Sequence, residues 1–321
     1  MNNILNDCYQ PLLEKNGFSL IEMPEQFNPA GTCWRLSPEI GSGFYWVYAR
    51  KDLFDIKIHD FYFHEDSFME FDLPECLSIT KYESISGEEL SPYRRLSAEC
   101  IKTFVGGYEP YKVLIHKKIP ICSIGVEIMP AYYNDYLKKQ YPGEYTNPLS
   151  AFRQIDQTTD FPEMEMLLHQ IKTYRGDGIS ASLFYEGKVA EAVSLIVESQ
   201  KKIKKNEQHL SNQDIAALEN VTAYLNDHYA FEIPLERLAQ IACMGTTKLK
   251  TTFKQFHNCT VTEYIQQRRM SQAEHLLAKT DLTIGQVAQT VGYSTSSRFA
   301  ELFRKSTGIL PGEYRKITQQ K

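Results

Sequence analysis

Two clusters of polar side chains near the C-terminus have the types and spacing to read a DNA duplex. Over residues 246–256, Leu249, Phe253 and Phe256 recur at helical period, so the opposite side of that helix presents Thr247, Lys250, Thr251 and Lys254, with Thr246 at its start. Lys250 can donate to guanine O6 and N7, whereas Lys254, nearer the helix end, suits phosphate. Over residues 296–304, Phe299, Leu302 and Phe303 form an inner face and Ser296, Ser297, Ala300, Glu301 and Arg304 an outer one. That outer face is small or hydrogen-bonding, with one basic anchor. Glu301, in its middle, can accept from cytosine N4, and Arg304, one turn later, is placed for phosphate. Being three residues apart, Glu301 and Arg304 could instead pair with each other for only about 0.2–0.5 kcal/mol.

Side chains so placed need short helices held at a fixed angle. Ile284, Val287, Ala288 and Val291 fall at i, i+3, i+4 and i+7, one apolar face of a helix. Gly292 can supply the left-handed residue that ends it, and Ser294 or Thr295 can cap the next helix. The same grammar occurs about 48 residues earlier: Leu235, Leu238, Ala239 and Ala242 repeat the face, Pro234 suits the first turn and Gly245 marks the turn. Between the two units, Tyr264, Ile265, Arg268, Arg269, Met270, Ala273, Leu276 and Leu277 fit one long connecting helix. Two helix-turn-helix units on one rigid connector would place their second helices in successive major grooves, about 34 Å apart.

Residues 218–316 resemble the DNA-binding domain of the AraC/XylS transcription regulators. The resemblance rests on Ile284, Ala288, Gly292, Tyr293, Phe299, Phe303, Gly308, Pro311 and Tyr314-Arg315, and on Tyr264-Ile265 followed by Arg269-Met270 and Ala273. It implies seven helices, promoter DNA and RNA polymerase as partners, and Thr247, Lys250 and Thr251 at base edges. Gly245 and Asn258 depart from the pattern, standing where the family often has a capping Ser and a Gly. Glycine is an acceptable cap and asparagine tolerates the left-handed conformation, so the first unit is expected to be softer, not absent.

The rest of the chain is of another kind. From Asn212 onward there are 13 Lys and Arg against 10 Asp and Glu, while the remainder carries 22 against 30, so polyanion binding belongs to the C-terminal part. Residues 30–129 read as β-rich: GFYWVYAR from Gly43 is aromatic and β-branched, Phe54, Ile56 and Ile58 alternate with Asp55, Lys57 and His59, Val113 and Ile115 alternate less cleanly with their neighbours, and ICSIGVEIM is a buried-type run. A barrel or sandwich is expected, and the resemblance implies a cupin-like one with a ligand pocket. Residues 130–200 turn helical, with one stripe of Phe161, Met164, Leu167, Leu168, Ile171 and Tyr174 and another of Ile179, Leu183, Val189, Ala190, Val193, Ile196 and Val197. This predicts a helical hairpin that covers the β-rich part or pairs two protomers. The overall class is α+β: an N-terminal regulatory and dimerisation domain over 1–205, a polar linker over 206–212 and an all-α DNA-binding domain over 213–321.

Enzyme chemistry is not expected. No GxSxG, P-loop or dinucleotide fingerprint occurs, and His59, His64 and Glu65 lack the spacing of a metal triad. The seven cysteines, at 8, 33, 76, 100, 122, 243 and 259, are scattered singly, which fits a reducing cytoplasm and neither a disulfide framework nor a zinc site. Neither a signal peptide nor a membrane span is expected, and no cofactor. Trp34, Arg35, Trp46 and Tyr48, with Phe44, Tyr62, Tyr82, Tyr93 and Arg94-Arg95, would suit an aromatic or amphipathic effector whose anionic group an arginine fixes. The reading is a homodimeric DNA-binding regulator, an activator controlled by a small molecule. The alternatives are a regulator whose first domain only dimerises or binds a protein, and a β-barrel enzyme fused to a DNA-binding domain.

Overall fold

The computed structural model describes residues 3–72, 74–90, 93–98, 101–107, 110–143, 147–155, 161–204, 210–257 and 259–319. It divides into two compact units, Met1–Lys205 and Asn206–Lys321. Most of the expected linker, and Asn258, lie outside the described residues. Among the described residues no helix is long and apolar enough to cross a membrane.

The first unit opens with a π-helical turn, Leu5–Tyr9, running into α1 (Gln10–Lys15). Eleven strands follow: β1 (Phe18–Ile21), β2 (Thr32–Leu36), β3 (Gly41–Arg50), β4 (Phe54–Phe63), β5 (Ser67–Phe71), β6 (Leu77–Ser84), β7 (Gly87–Leu90), β8 (Tyr93–Arg95), β9 (Ile101–Val105), β10 (Tyr111–Ile115) and β11 (Ile121–Ile128). All pair antiparallel, in a long sheet of order β1-β2-β3-β4-β11-β6-β9 and a short one of order β5-β10-β7-β8. Then come a second π-helical turn (Ala131–Tyr136), α2 (Leu137–Gln140), α3 (Leu149–Ile155), α4 (Pro162–Thr173) and α5 (Gly178–Lys204).

The period of two in the strands builds three layers. Phe54, Ile56 and Ile58 of β4, Leu77 and Ile79 of β6 and Ile124, Val126 and Ile128 of β11 pack with Met164, Leu167, Leu168 and Ile171 of α4 and with Tyr185, Val189 and Ile196 of α5. The residues between them, Asp55, Lys57 and His59 on β4, Ser78 and Thr80 on β6 and Glu127 on β11, face the short sheet. The long sheet is therefore buried on both faces, one apolar and one polar. The second helical stripe differs from expectation. Ala181, Tyr185, Val189, Ala192, Val193 and Ile196 are buried, whereas Ile179, Leu183 and Ala190 are exposed, the first two at 74% and 65%. The bulk of Tyr185, its ring tilted against that of Tyr48 at 4.6 Å between centres, sets which side of α5 turns inward.

The second unit is all α: α6 (Asn212–His228), α7 (Leu235–Ile241), α8 (Thr246–His257), α9 (Val261–Lys279), α10 (Ile284–Thr290), α11 (Ser296–Thr307) and α12 (Pro311–Gln319). Capping boxes start three of them: Ser211 with Asp214, Thr260 with Glu263 and Thr283 with Gln286. Each satisfies two backbone N–H groups reciprocally, so these ends are sharply defined.

Candidate nucleic-acid interface and interior cavity

The second helix of each pair turns an apolar side inward and a polar one outward. In α8, Leu249 and Phe253 are buried with Leu238 and Ala239 of α7, leaving Thr247, Lys250, Thr251 and Lys254 exposed and Thr246 half-buried at the first turn. Thr251 Oγ1 donates to Thr247 O at 3.1 Å, so that hydroxyl rests on its own helix. Lys248, outside the expected set, reaches Asp214 of α6 at 2.7 Å and ties the helix to its neighbour. The left-handed residue between α7 and α8 is Cys243, with φ of 51°. Gly245 instead stands at the start of α8, where its carbonyl accepts from Leu249 N at 2.9 Å.

In α11, Phe299, Leu302 and Phe303 are buried, Ser296, Ser297, Glu301 and Arg304 are exposed and Ala300 is half-buried. Thr295 caps the helix by accepting from Arg298 N, and Gly308 closes it at φ 88°. The partner of Glu301 is Arg298, whose guanidinium donates to the carboxylate at 2.9 Å, and not Arg304. Both pairings span three residues, and Arg298 lies one turn toward the N-terminus of Glu301.

Within the second unit, a side chain of the connecting helix α9 locks the turn between α10 and α11 to the segment that follows α6. Arg269 of α9 donates to Tyr229 O at 2.7 Å, Gly292 O at 2.8 Å and Phe231 O at 3.1 Å, and lies 5.1 Å from the Tyr293 ring centre. Gly292 has φ of 94°, and a Cβ there would stand 2.3 Å from Ala230 O and 2.9 Å from Arg269 Cζ. The glycine thus serves both the turn and the clamp.

Residues 238–317 match the model of a helix-turn-helix domain. The chain is 33% identical over 99 residues to the bifunctional transcriptional activator/DNA repair enzyme AdaA of Bacillus subtilis, covering 31% of this chain and 47% of that protein. It is 33% identical over 106 residues to the transcriptional activator RhaS of an Enterobacter species, covering 33% and 38%. The arabinose operon regulatory protein of Escherichia coli matches at 31% over 99 residues, covering 30% and 34%. The second unit carries a helix-turn-helix domain of the AraC type. These matches span between about a third and a half of the relatives' own lengths.

The unit ahead of the AraC-type domain holds a cavity of about 150 Å³ between its sheets. Its floor is the polar face of the long sheet, with Lys57, His59, Ser78, Thr80, Lys102 and Glu127; its roof is apolar, with Met69 and Phe71 of β5 and Val113 and Ile115 of β10, and Leu12 and Leu13 of α1 close one side. Lys57 pairs with Glu127 and Lys102 with Glu89, and Lys102 Nζ also donates to Tyr111 OH at 3.2 Å. Burial, and then the charge of Lys57, pull the Lys102 ammonium down to about 7. Burial pushes His59 down to about 3, and its Nε2 is without a hydrogen-bond partner. Beside this floor Tyr9 OH donates to Asp55 at 2.8 Å and Glu127 at 3.1 Å, and burial holds the Asp55 carboxyl well above its usual range.

Trp34, Arg35, Trp46 and Tyr48, expected to line an effector pocket, do not line this cavity. Trp46 and Tyr48 have the strand parity of the helical layer: Trp46 Nε1 donates to Asn28 O at 2.9 Å and Tyr48 OH to Ser182 Oγ at 3.4 Å. Trp34 is core, and Arg35 is exposed, 5.3 Å from the Phe44 ring centre. The side chains of Tyr93 and Arg94 lie outside those described. His59, His64 and Glu65 do not converge, since His64 Nε2 meets Pro38 O at 3.0 Å and Glu65 pairs with Lys117 at 2.9 Å. What marked the true floor was the alternation Asp55, Lys57, His59, which ordinarily denotes a solvent face; the short sheet that covers it was not legible.

Proposed function

We propose that this chain is a cytoplasmic transcription activator that binds promoter DNA by placing α8 and α11 in successive major grooves. The observation that carries the reading is the pair of exposed polar faces on two short helices joined by the single helix α9. Thr246, Thr247, Lys250 and Thr251 of α8 and Ser296, Ser297, Ala300, Glu301 and Arg298 of α11 then meet base edges, while Lys254 and Arg304 meet phosphate. Transcription is raised by contact with RNA polymerase; that it is raised rather than lowered draws on the two relatives, AdaA and RhaS, that are transcriptional activators. In this reading the protein is a regulator and not an enzyme.

The first unit governs occupancy by taking a small effector into the cavity between its sheets and by pairing two copies. An effector acts only as far as it binds one arrangement better than another. A second reading, in which the first unit only dimerises or binds a protein, draws on Ile179 and Leu183, exposed one turn apart on α5. Selection of bound duplexes from a random pool by the full chain tests the DNA reading. Enrichment of two short motifs about one helical turn apart supports it; a pool that stays random overturns it.

A further inference from the structure

Three residues of the cavity floor, Lys57, Thr80 and Lys102, fall in one row across four neighbouring strands, with Gly125 on the fourth strand between them. Strand pairing sets Lys57 of β4 opposite Gly125 of β11, Gly125 opposite Thr80 of β6, and Thr80 opposite Lys102 of β9. Two long cationic side chains thus flank a glycine and a hydroxyl on a largely buried face. Gly125 is the one position in this row with no side chain, and it sits in the middle of a central strand, where glycine weakens a sheet unless something approaches closely. A Cβ there would come within 2.9 Å of Thr80 Oγ1 and 3.2 Å of Lys57 Cε, so the Lys57 side chain leans over the gap.

The donors of this row exceed its acceptors. A lysine ammonium has three N–H groups. Lys57 gives one to Glu127 and Lys102 gives one to Tyr111, while Glu89 sets its charge against Lys102. Among the described residues the remaining N–H groups have no further acceptor, and the two cations repel each other across the gap. Opposite lies the apolar roof of Met69, Phe71, Val113 and Ile115. A volume of about 150 Å³ accommodates a benzene-sized body.

Resting on the reading that the first unit binds a small effector, we propose that its ligand is a small amphipathic carboxylate, with the carboxylate over Gly125 between Lys57 and Lys102 and a ring-sized apolar body against the short sheet. A carboxylate has two oxygens, each with room for two donors, so one group can bridge both lysines and Thr80.

The test is isothermal titration of the full chain with cyclohexanecarboxylate, hexanoate and the neutral cyclohexanecarboxamide, followed by titration of its DNA with and without each. The carboxylates are expected to bind at least tenfold more tightly than the amide. Lys102→Met alone would leave Glu89 buried and unpaired, so the charge is removed as the double variant Lys102→Met/Glu89→Gln. That variant should lose the preference for carboxylate over amide while still binding the amide. Gly125→Ala, which puts a methyl group where the head sits, should weaken all three probes. Equal affinity for amide and carboxylate in the unaltered chain, or an unchanged preference in the double variant, overturns the proposal and leaves the effector reading standing. Carboxylate binding with these responses but no change in DNA affinity upholds the ligand class and removes the effector reading. Failure of all probes to bind at millimolar concentration overturns the proposal.

Discussion

At the scale of single residues, the ion pair between Arg298 and Glu301 changes what the second reading helix can say to DNA. A carboxylate in the middle of a face that approaches a polyanion is unfavourable unless a donor accompanies it, and here the donor comes from the preceding turn. Arg298 is thereby held near the N-terminal third of α11, from which side chains reach base edges. Replacing Arg298 by Ala is expected to cost about 1–3 kcal/mol on the preferred sequence and to relax one base pair. Glu301→Ala should tighten binding to scrambled duplexes and reduce discrimination. Arg304→Ala should weaken every sequence alike and lower the salt slope by about one. Titration of preferred and scrambled duplexes over a salt series separates the three, and equal losses on all sequences for Arg298→Ala would make it a backbone contact. On α8, Lys250→Ala is expected to shift the preferred base at one position, read by selection from a random pool. His257 gives a pH prediction. Its Nε2 lies 2.6 Å from Thr222 Oγ1 amid Phe253, Phe256 and Tyr264, and burial pushes its acidity from the ordinary 6.5 down to about 4. The folded state thus holds the ring neutral. Its contribution is complete above pH 6.5 and is lost as pH falls toward 4, by on the order of 1 kcal/mol after allowance for residual solvent. Chemical denaturation at pH 7 and pH 4.5 should show this loss for the second unit, and His257→Gln should flatten it.

At the scale of elements, legibility followed how many faces an element buries. The C-terminal helices bury one stripe each, so Leu249 and Phe253, or Phe299 and Phe303, announce their inner side at a period of 3.6. Caps added to this: Gly292, and a cap at Ser294 or Thr295 that the structure places on Thr295, are legible because glycine, serine and threonine do particular backbone work. Strands buried on both faces gave their existence but not their neighbours. Trp46 and Lys57 both point into the first unit, yet on opposite sides of one sheet, and only the pairing register tells which shares a space with which. Aromatic content drew attention to Trp34, Trp46 and Tyr48, but large apolar rings more often fill a layer than line a cavity. The turn at Gly292 supplies the sharpest test at this scale. Gly292→Ala combines a left-handed backbone with a clash against Ala230 O and should cost the second unit roughly 2 kcal/mol or more. Arg269→Met, which leaves three carbonyls without their donor, should lower the same melting transition while leaving that of the first unit in place. Differential scanning calorimetry resolves the two, and a single unchanged transition would mean the clamp contributes little.

At the scale of the whole molecule, the chain comprises two units, each with its own core, and the property that joins them in the proposed function is effective concentration. The fragment from Asn212 is expected to fold alone, because its buried set from Leu218 to Tyr314 lies within it. It should bind DNA more weakly than the full chain, since two domains tethered as a dimer rebind as a unit. A fragment that binds as tightly as the full chain would remove dimerisation from the account.

One strand of the first unit has a further consequence. β11 sits between β4 and β6, and its alternate residues belong to different compartments: Ile124, Val126 and Ile128 to the helices, and Glu127 to the cavity, with Gly125 on the same side of the strand as Glu127. The partition between them is a single backbone thick. It behaves as a diaphragm: a displacement of Gly125 on one surface is a displacement of Ile124 and Val126 on the other, and needs no relay of side chains to cross. The same geometry makes the strand intolerant of slippage. A one-residue insertion in β11 would exchange the two sets, turning Glu127 toward α4 and α5 and Ile124 or Val126 toward the lysines.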